Sequence, residues 1–203
     1  MRTYIYVDGF NLYYGCLKGS QYKWLDLKKL CQNLLKPENQ IVKIKYFTAS
    51  VSGKFDPDQP IRQKTYLRAL ECFTPEIEIY KGHFLTHPVD MPTVTPPPPK
   101  VKVYKTEEKG SDVNLAVHLL NDAWHNVYDC AIIISNDSDL SESTRLVKEE
   151  RQKTIGLICP SSKPSKQLVQ CCDFVKKIRN HVLANAQLPN PIPNTNLTKP
   201  KSW

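Results

Sequence analysis

From Asp129 to Ser135 the chain reads Asp-Cys-Ala-Ile-Ile-Ile-Ser, with no polar residue among its five central positions. A strand with one face in water alternates apolar and polar side chains, and this one does not, so both of its faces must be covered. The run is too short for a buried helix. A strand covered on both sides belongs at the centre of a mainly parallel sheet, between two layers of helices.

The rest of the chain supplies elements for such a sheet. Tyr4-Ile5-Tyr6-Val7 is β-branched and aromatic and stops at Asp8-Gly9, which marks a buried strand of residues 3–7 ending in a turn, with a short helix from about Asn11. Asp26 is placed to cap a helix carrying Leu27, Leu30, Cys31, Leu34 and Leu35 at three- and four-residue spacing and ending at Pro37. Residues 41–47, 77–80 and 154–159 read as further strands, and 174–178 as a short strand or helix start. Helices are expected from Pro57 or Pro60 to about Phe73, with Ile61, Tyr66, Leu67, Leu70 and Phe73 inward, and over 111–125, with Val113, Ala116, Val117, Leu120, Ala123 and Trp124 inward. Two more run from Asp137 or Ser138 to about Arg151 and from Ser165 to Cys172. Strands alternating with helices predict an α/β fold, a doubly wound parallel sheet.

Between residues 82–85 and 101–104, two short strands that form a small β-arm, lies a proline-rich excursion, residues 86–100, with four consecutive prolines from Pro96 to Pro99. Residues 187–203, rich in Pro and Asn, read as a mobile tail beyond a domain of residues 1–186.

Four carboxylates stand where such a sheet delivers its strand ends: Asp8, Asp112 after Gly110-Ser111, and Asp137 and Asp139 after Ser135-Asn136. In doubly wound sheets the ligand site lies beyond the carboxyl ends of the strands, where the strand order reverses. A lone Asp after a strand is most often a turn residue or a helix cap. Four together repel one another, and hard oxygen donors with no matching Cys/His set favour Mg²⁺ or Mn²⁺. His83, His87, His118 and His125 lack acidic or cysteine partners at ligand spacing, so zinc is not indicated. Neither GxxxxGK[ST] nor GxGxxG occurs, which argues against a nucleotide-hydrolysing or dinucleotide-binding domain.

The chain as a whole carries a net charge of +8, spread rather than clustered. A basic field around an acidic centre suits a polyanion, nucleic acid first, although a basic surface also serves solubility alone. Lys105 and Lys109, ahead of the Asp112 helix, could hold a phosphate. Arg62 and Tyr66, four apart on one helix, could offer a charge and a stacking surface, with Tyr66 better read as core. Seven cysteines without a CxxC pair, no apolar run of membrane-spanning length and an N-terminus that enters a strand directly lead us to expect a reduced, soluble, cytoplasmic protein with no membrane partner; the oligomeric state stays open.

Three segments carry a family resemblance: Val7-Asp8-Gly9-Phe10-Asn11-Leu12, Glu108-Lys109-Gly110-Ser111-Asp112-Val113-Asn114 and Ser135-Asn136-Asp137-Ser138-Asp139. In order and spacing they resemble the motifs of the NYN family, the PIN-like nuclease domains, over about residues 3–180. The resemblance implies a three-layer α/β/α sandwich and metal-dependent cleavage of RNA phosphodiesters. It makes Asp8, Asp112, Asp137 and Asp139 the metal-binding, catalytic residues, with Asn11 and Ser135 in support; the candidate RNA contacts Lys105, Lys109 and Arg62 rest on their charge and placement alone. The leading expectation is a Mg²⁺- or Mn²⁺-dependent endoribonuclease. Its rivals are a non-catalytic RNA-binding or regulatory module, which would gain affinity by losing those negative charges, and a nuclease or phosphatase acting on DNA or small nucleotides.

Overall fold

A computed structural model describes residues 1–54 and 56–203. Seven strands form one sheet: β1 (Arg2–Asp8), β2 (Gln40–Ala49), β3 (Ile77–Pro92), β4 (Lys100–Lys109), β5 (Cys130–Ile134), β6 (Thr154–Cys159) and β7 (Phe174–Lys177). Their order is β4-β3-β2-β1-β5-β6-β7. All neighbours are parallel except β3 and β4. From β1 the chain lays β2 and β3 to one side and later β5, β6 and β7 to the other. The order therefore reverses at the β1/β5 pair, where Val7 lies level with Ile134.

Side-chain alternation along these strands builds two cores. On one face Ile5, Val7, Ile132 and Ile134 pack with α2 (Leu27–Leu34), α3 (Gln59–Phe73) and α7 (Asn180–Ala184). On the other, Tyr6, Ala131 and Ile133 pack with α4 (Ser111–Trp124), α5 (Ser141–Arg151) and α6 (Lys166–Gln170). The result is the three-layer α/β/α sandwich, and β5 is buried along its whole length. Between β1 and α2, α1 (Gly9–Leu12) runs into a single π-helical turn over Tyr13–Leu17. Among the described residues no helix is long and apolar enough to cross a membrane.

Several local expectations are corrected. The strand expected at 77–80 and the first strand of the arm are one continuous β3, paired antiparallel with β4 from His83↔Lys109 to Pro92↔Lys100. Proline lacks an N–H, yet Pro88 and Pro92 are accommodated because beyond Gly82 this strand pairs on one side only. The inward face of α4 is Leu115, Leu119, Asp122 and Ala123, while Val113 and Val117 are 66% and 56% exposed. Apolar spacing alone misjudged this face, because a buried Asp122 holds its centre. In α3, Tyr66, Leu67, Ala69 and Leu70 face inward and Ile61 faces out.

The segment 187–203 is packed against the domain, contrary to the mobile tail that its composition suggests. Leu188 and Ile192 lie in the first core, the Trp24 indole N–H donates to the Pro189 carbonyl at 3.0 Å, and Trp203 packs edge-on to Trp24. Isolated apolar residues among prolines carry no periodicity, but each still buries its own area against a waiting surface.

Candidate functional site

Asp8 is the last residue of β1 and is 3% exposed. It caps α1: one carboxylate oxygen accepts the Asn11 backbone N–H at 2.9 Å, and the other accepts the Ser135 hydroxyl at 2.9 Å. Ser135 follows β5 directly, so the sheet's switch point itself brings the first and third motifs together. The Ser135 oxygen in turn accepts the Asp137 N–H at 3.0 Å, and the Asp137 carboxylate accepts the Asp139 N–H at 3.0 Å. Asp8, Ser135, Asp137 and Asp139 thus form one hydrogen-bonded line across two strand ends. Burial pushes the Asp8 carboxyl above the usual carboxylate range, against the pull of its Asn11 and Ser135 donors.

Asp112 reaches the same crevice from the first turn of α4. Gly110 makes the approach possible, turning the chain from β4 into the helix at φ +99°, a conformation that L side chains rarely adopt. Glu108 steadies this turn by accepting the Ser111 N–H at 3.1 Å and the Ser111 hydroxyl at 2.7 Å. Asp8, Asn11, Glu108 and Asp112 all line the crevice. Burial first, and then the charges of Asp8, Asp137, Glu108 and Asp139, push the Asp112 carboxyl up to about 6. Every one of these influences acts in the same direction. This is the electrostatic signature of carboxylates gathered without an offsetting cation.

The donor set, all hard oxygen, has the chemistry of a Mg²⁺ or Mn²⁺ site. Among the described residues, however, no three His, Cys, Asp or Glu side chains stand close enough together to hold a metal ion. The crevice therefore gathers the charge without closing a coordination shell. This suits an ion such as Mg²⁺, which keeps several waters and takes one or two carboxylates together with substrate phosphates. The residues fit the ion in kind: Asp8 and Asp112 line the crevice and would hold it, whereas Asp137 and Asp139 do not line it and are joined to Asp8 through Ser135.

The basic candidates lie elsewhere. Lys105 and Lys109 sit on β4, ion-paired with Glu107 at 2.6 and 3.5 Å, and do not line the crevice. Arg62 pairs with Asp56 and lines a separate pocket on the α3 side. Reading the sequence for acids also passed over Asn136. Its side-chain oxygen accepts the Ser165 N–H at 2.7 Å and its amide donates to the Lys163 carbonyl at 3.1 Å, while its backbone N–H donates to Asn11 at 3.1 Å. Asn136 thereby ties the third motif to both the first motif and the start of α6. Its place inside Ser135-Asn136-Asp137 was the available signal.

The family description "NYN domain" matches residues 2–179. The 6-hydroxy-3-succinoylpyridine 3-monooxygenase HspA of Pseudomonas putida is 32% identical over 235 aligned residues, which cover 100% of this chain and 75% of that protein. A crystal structure of a protein of unknown function from Vibrio parahaemolyticus superposes with a TM-score of 0.58 at 21% identity, covering 92% of this chain and 96% of the other. At that identity the likeness speaks for the fold alone.

Proposed function

The chain belongs to the NYN domain family, and from that premise we propose that it is a divalent-metal-dependent endoribonuclease whose acidic crevice hydrolyses RNA phosphodiester bonds. The observation that carries this reading is the convergence of Asp8, Asp112, Asp137 and Asp139, from three separate motifs, on the switch point of the sheet with no offsetting cation among the influences on Asp112. Such an arrangement costs stability in the empty protein and is relieved by a bound cation.

A bound Mg²⁺ or Mn²⁺ would supply an acidified water and positive charge for the phosphoryl oxygens. The residues of the chain do the positioning. The hydroxyl of Ser135 and the N–H of Asn11 fix the Asp8 carboxylate while using only two of its lone pairs. Ser135 and Asp137 hold the third motif by a further pair of hydrogen bonds. Glu108 keeps the first turn of α4 in place, so that Asp112 enters the crevice. The overall charge of +8 draws the polyanion toward an otherwise repulsive centre.

Degradation assays on single-stranded RNA, DNA and mononucleotides, with Mn²⁺ or with chelator, test the reading. RNA cleavage that requires the metal supports it. Metal-dependent turnover of DNA or nucleotides alone would reassign the substrate, and RNA binding without cleavage would make the domain a binding module.

A second reading rests on the 32% identity with a protein named as a pyridine monooxygenase, which spans the whole of this chain. On that reading the chain oxidises a small heteroaromatic acid, with dioxygen and a two-electron donor as co-substrates. Oxygen consumption with a hydroxylated pyridine acid, absent metal-dependent RNA cleavage, would favour it.

A further inference from the structure

Beside the acidic crevice, on the α1–α3 side of the sheet, lies a pocket of about 410 Å³. The two hollows are neighbours, since Phe10 and Tyr14 line both. The pocket's volume is within the range of small-molecule sites, on the order of 300–1,000 Å³.

Its walls are flat aromatic surfaces. Tyr13 and Tyr14 meet edge-on with ring centres 5.3 Å apart, and the Phe10 ring lies nearly parallel to Tyr14 at 6.5 Å. Trp203, from the docked C-terminal segment, completes the lining. At the strand ends Tyr46 packs directly over Gly9, where a Cβ would come within 2.7 Å of the phenol ring. Tyr46 is only 7% exposed, and among the described residues its hydroxyl makes no hydrogen bond. The phenol oxygen is open to the pocket, where it can donate to water or to an acceptor on a ligand.

The charges lining the pocket complete the picture. Lys18, Lys23 and Arg62 contribute three cations against the single carboxylate of Asp56. The Lys18 ammonium stands 4.9 Å from the centre of the Tyr14 ring, so ring and cation share one wall.

We propose that this pocket binds a planar heteroaromatic ring carrying an anionic group, the ring against Tyr13, Tyr14 and Phe10, a ring acceptor toward the Tyr46 hydroxyl, and the anion toward Lys18, Lys23 and Arg62. Two sources share this chemistry: a nucleotide unit of a nucleic acid whose next phosphate reaches the crevice, and a free heteroaromatic acid. The inference does not depend on the nuclease reading, because it concerns binding in a pocket that contains none of the four aspartates.

The test titrates the full chain, without added metal, with uridine 5′-monophosphate and with 6-hydroxynicotinic acid, following tryptophan fluorescence because Trp203 lines the pocket. Saturable binding of at least one ligand is expected below about 1 mM. Gln59→Trp, which puts an indole into the pocket from the first turn of α3, should weaken it by roughly tenfold or more. Arg62→Ala should weaken it by roughly threefold and flatten its salt dependence. The tighter ligand identifies the source. If neither ligand saturates the wild-type chain, the proposal is overturned. It also falls if affinity and salt dependence are unchanged in Arg62→Ala, the milder variant that decides the matter should Gln59→Trp fail to fold.

Discussion

Asp122 and Asp8 are buried to similar extents, 8% and 3% exposed, yet the fold treats their charges differently. Asp122, on the inward face of α4, meets the Lys45 ammonium at 2.7 Å and accepts the Tyr6 hydroxyl at 2.7 Å, with His118 touching the same ammonium at 3.3 Å. Asp8 accepts only neutral donors, the Asn11 N–H and the Ser135 hydroxyl, and its charge adds to those acting on Asp112. The first carboxylate is answered within the chain. The second has only neutral partners among the described residues. Burial alone therefore does not decide how a carboxylate is compensated: Asp122 has a paired cation, and Asp8 has none among the described residues.

The largest effect is expected on the compensated side. Asp122→Ala leaves Lys45 buried and unpaired, which costs about 3–5 kcal/mol, and chemical denaturation should read that loss with little change in cleavage per folded molecule. Asp8→Asn should show the opposite pattern. Metal-dependent RNA cleavage should fall by roughly a thousandfold, about 4 kcal/mol at the transition state, while the melting temperature of the metal-free protein holds or rises as repulsion is relieved. If the two variants lose stability alike, the contrast between the two aspartates fails.

Metal and pH should both act on the crevice. Mn²⁺ at 100 times its dissociation constant should stabilise the wild-type protein by about 2.7 kcal/mol, and Asp8→Asn by much less. In metal-free protein burial and the neighbouring carboxylates push the Asp112 carboxyl up to about 6, above the usual 3.8. Its contribution to stability is fully present below the unfolded value and is lost as the pH rises through about 6. Thermal melts of metal-free wild type and Asp112→Asn should therefore converge on acidification from pH 7 to 4, the wild type gaining relative to the variant, and saturating Mn²⁺ should suppress this difference at neutral pH. The smallest effect is expected at Lys105 and Lys109, which stand outside the crevice: if they contact phosphates, the double alanine variant should lower the log–log salt slope of RNA binding by roughly 0.7 per lost contact, with turnover at saturating RNA little changed.

The parts of this contrast were unequally legible in the sequence. The unbroken apolar run of β5, the alternation of strands and helices and the acidic motifs at strand ends were all visible, because each is a local pattern. The Asp122–Lys45 pair was not, since 77 residues separate its members and an Asp in an amphipathic helix reads as solvent-facing. The same misreading turned the inward face of α4 toward Val113 and Val117. The roles of Asn136 and Glu108 are set by hydrogen bonds that sequence spacing only hints at, and the docking of Leu188, Ile192 and Trp203 depends on a core assembled from the distant start of the chain.

The central claim is that the crevice holds a divalent cation because its carboxylates are left unanswered, and calorimetric titration of Mn²⁺ into the wild-type chain and into Asp8→Asn tests it most directly. The account predicts a saturable heat for the wild type that is lost or greatly weakened in the variant. No saturable binding at millimolar Mn²⁺, or equal binding by both proteins, would contradict it.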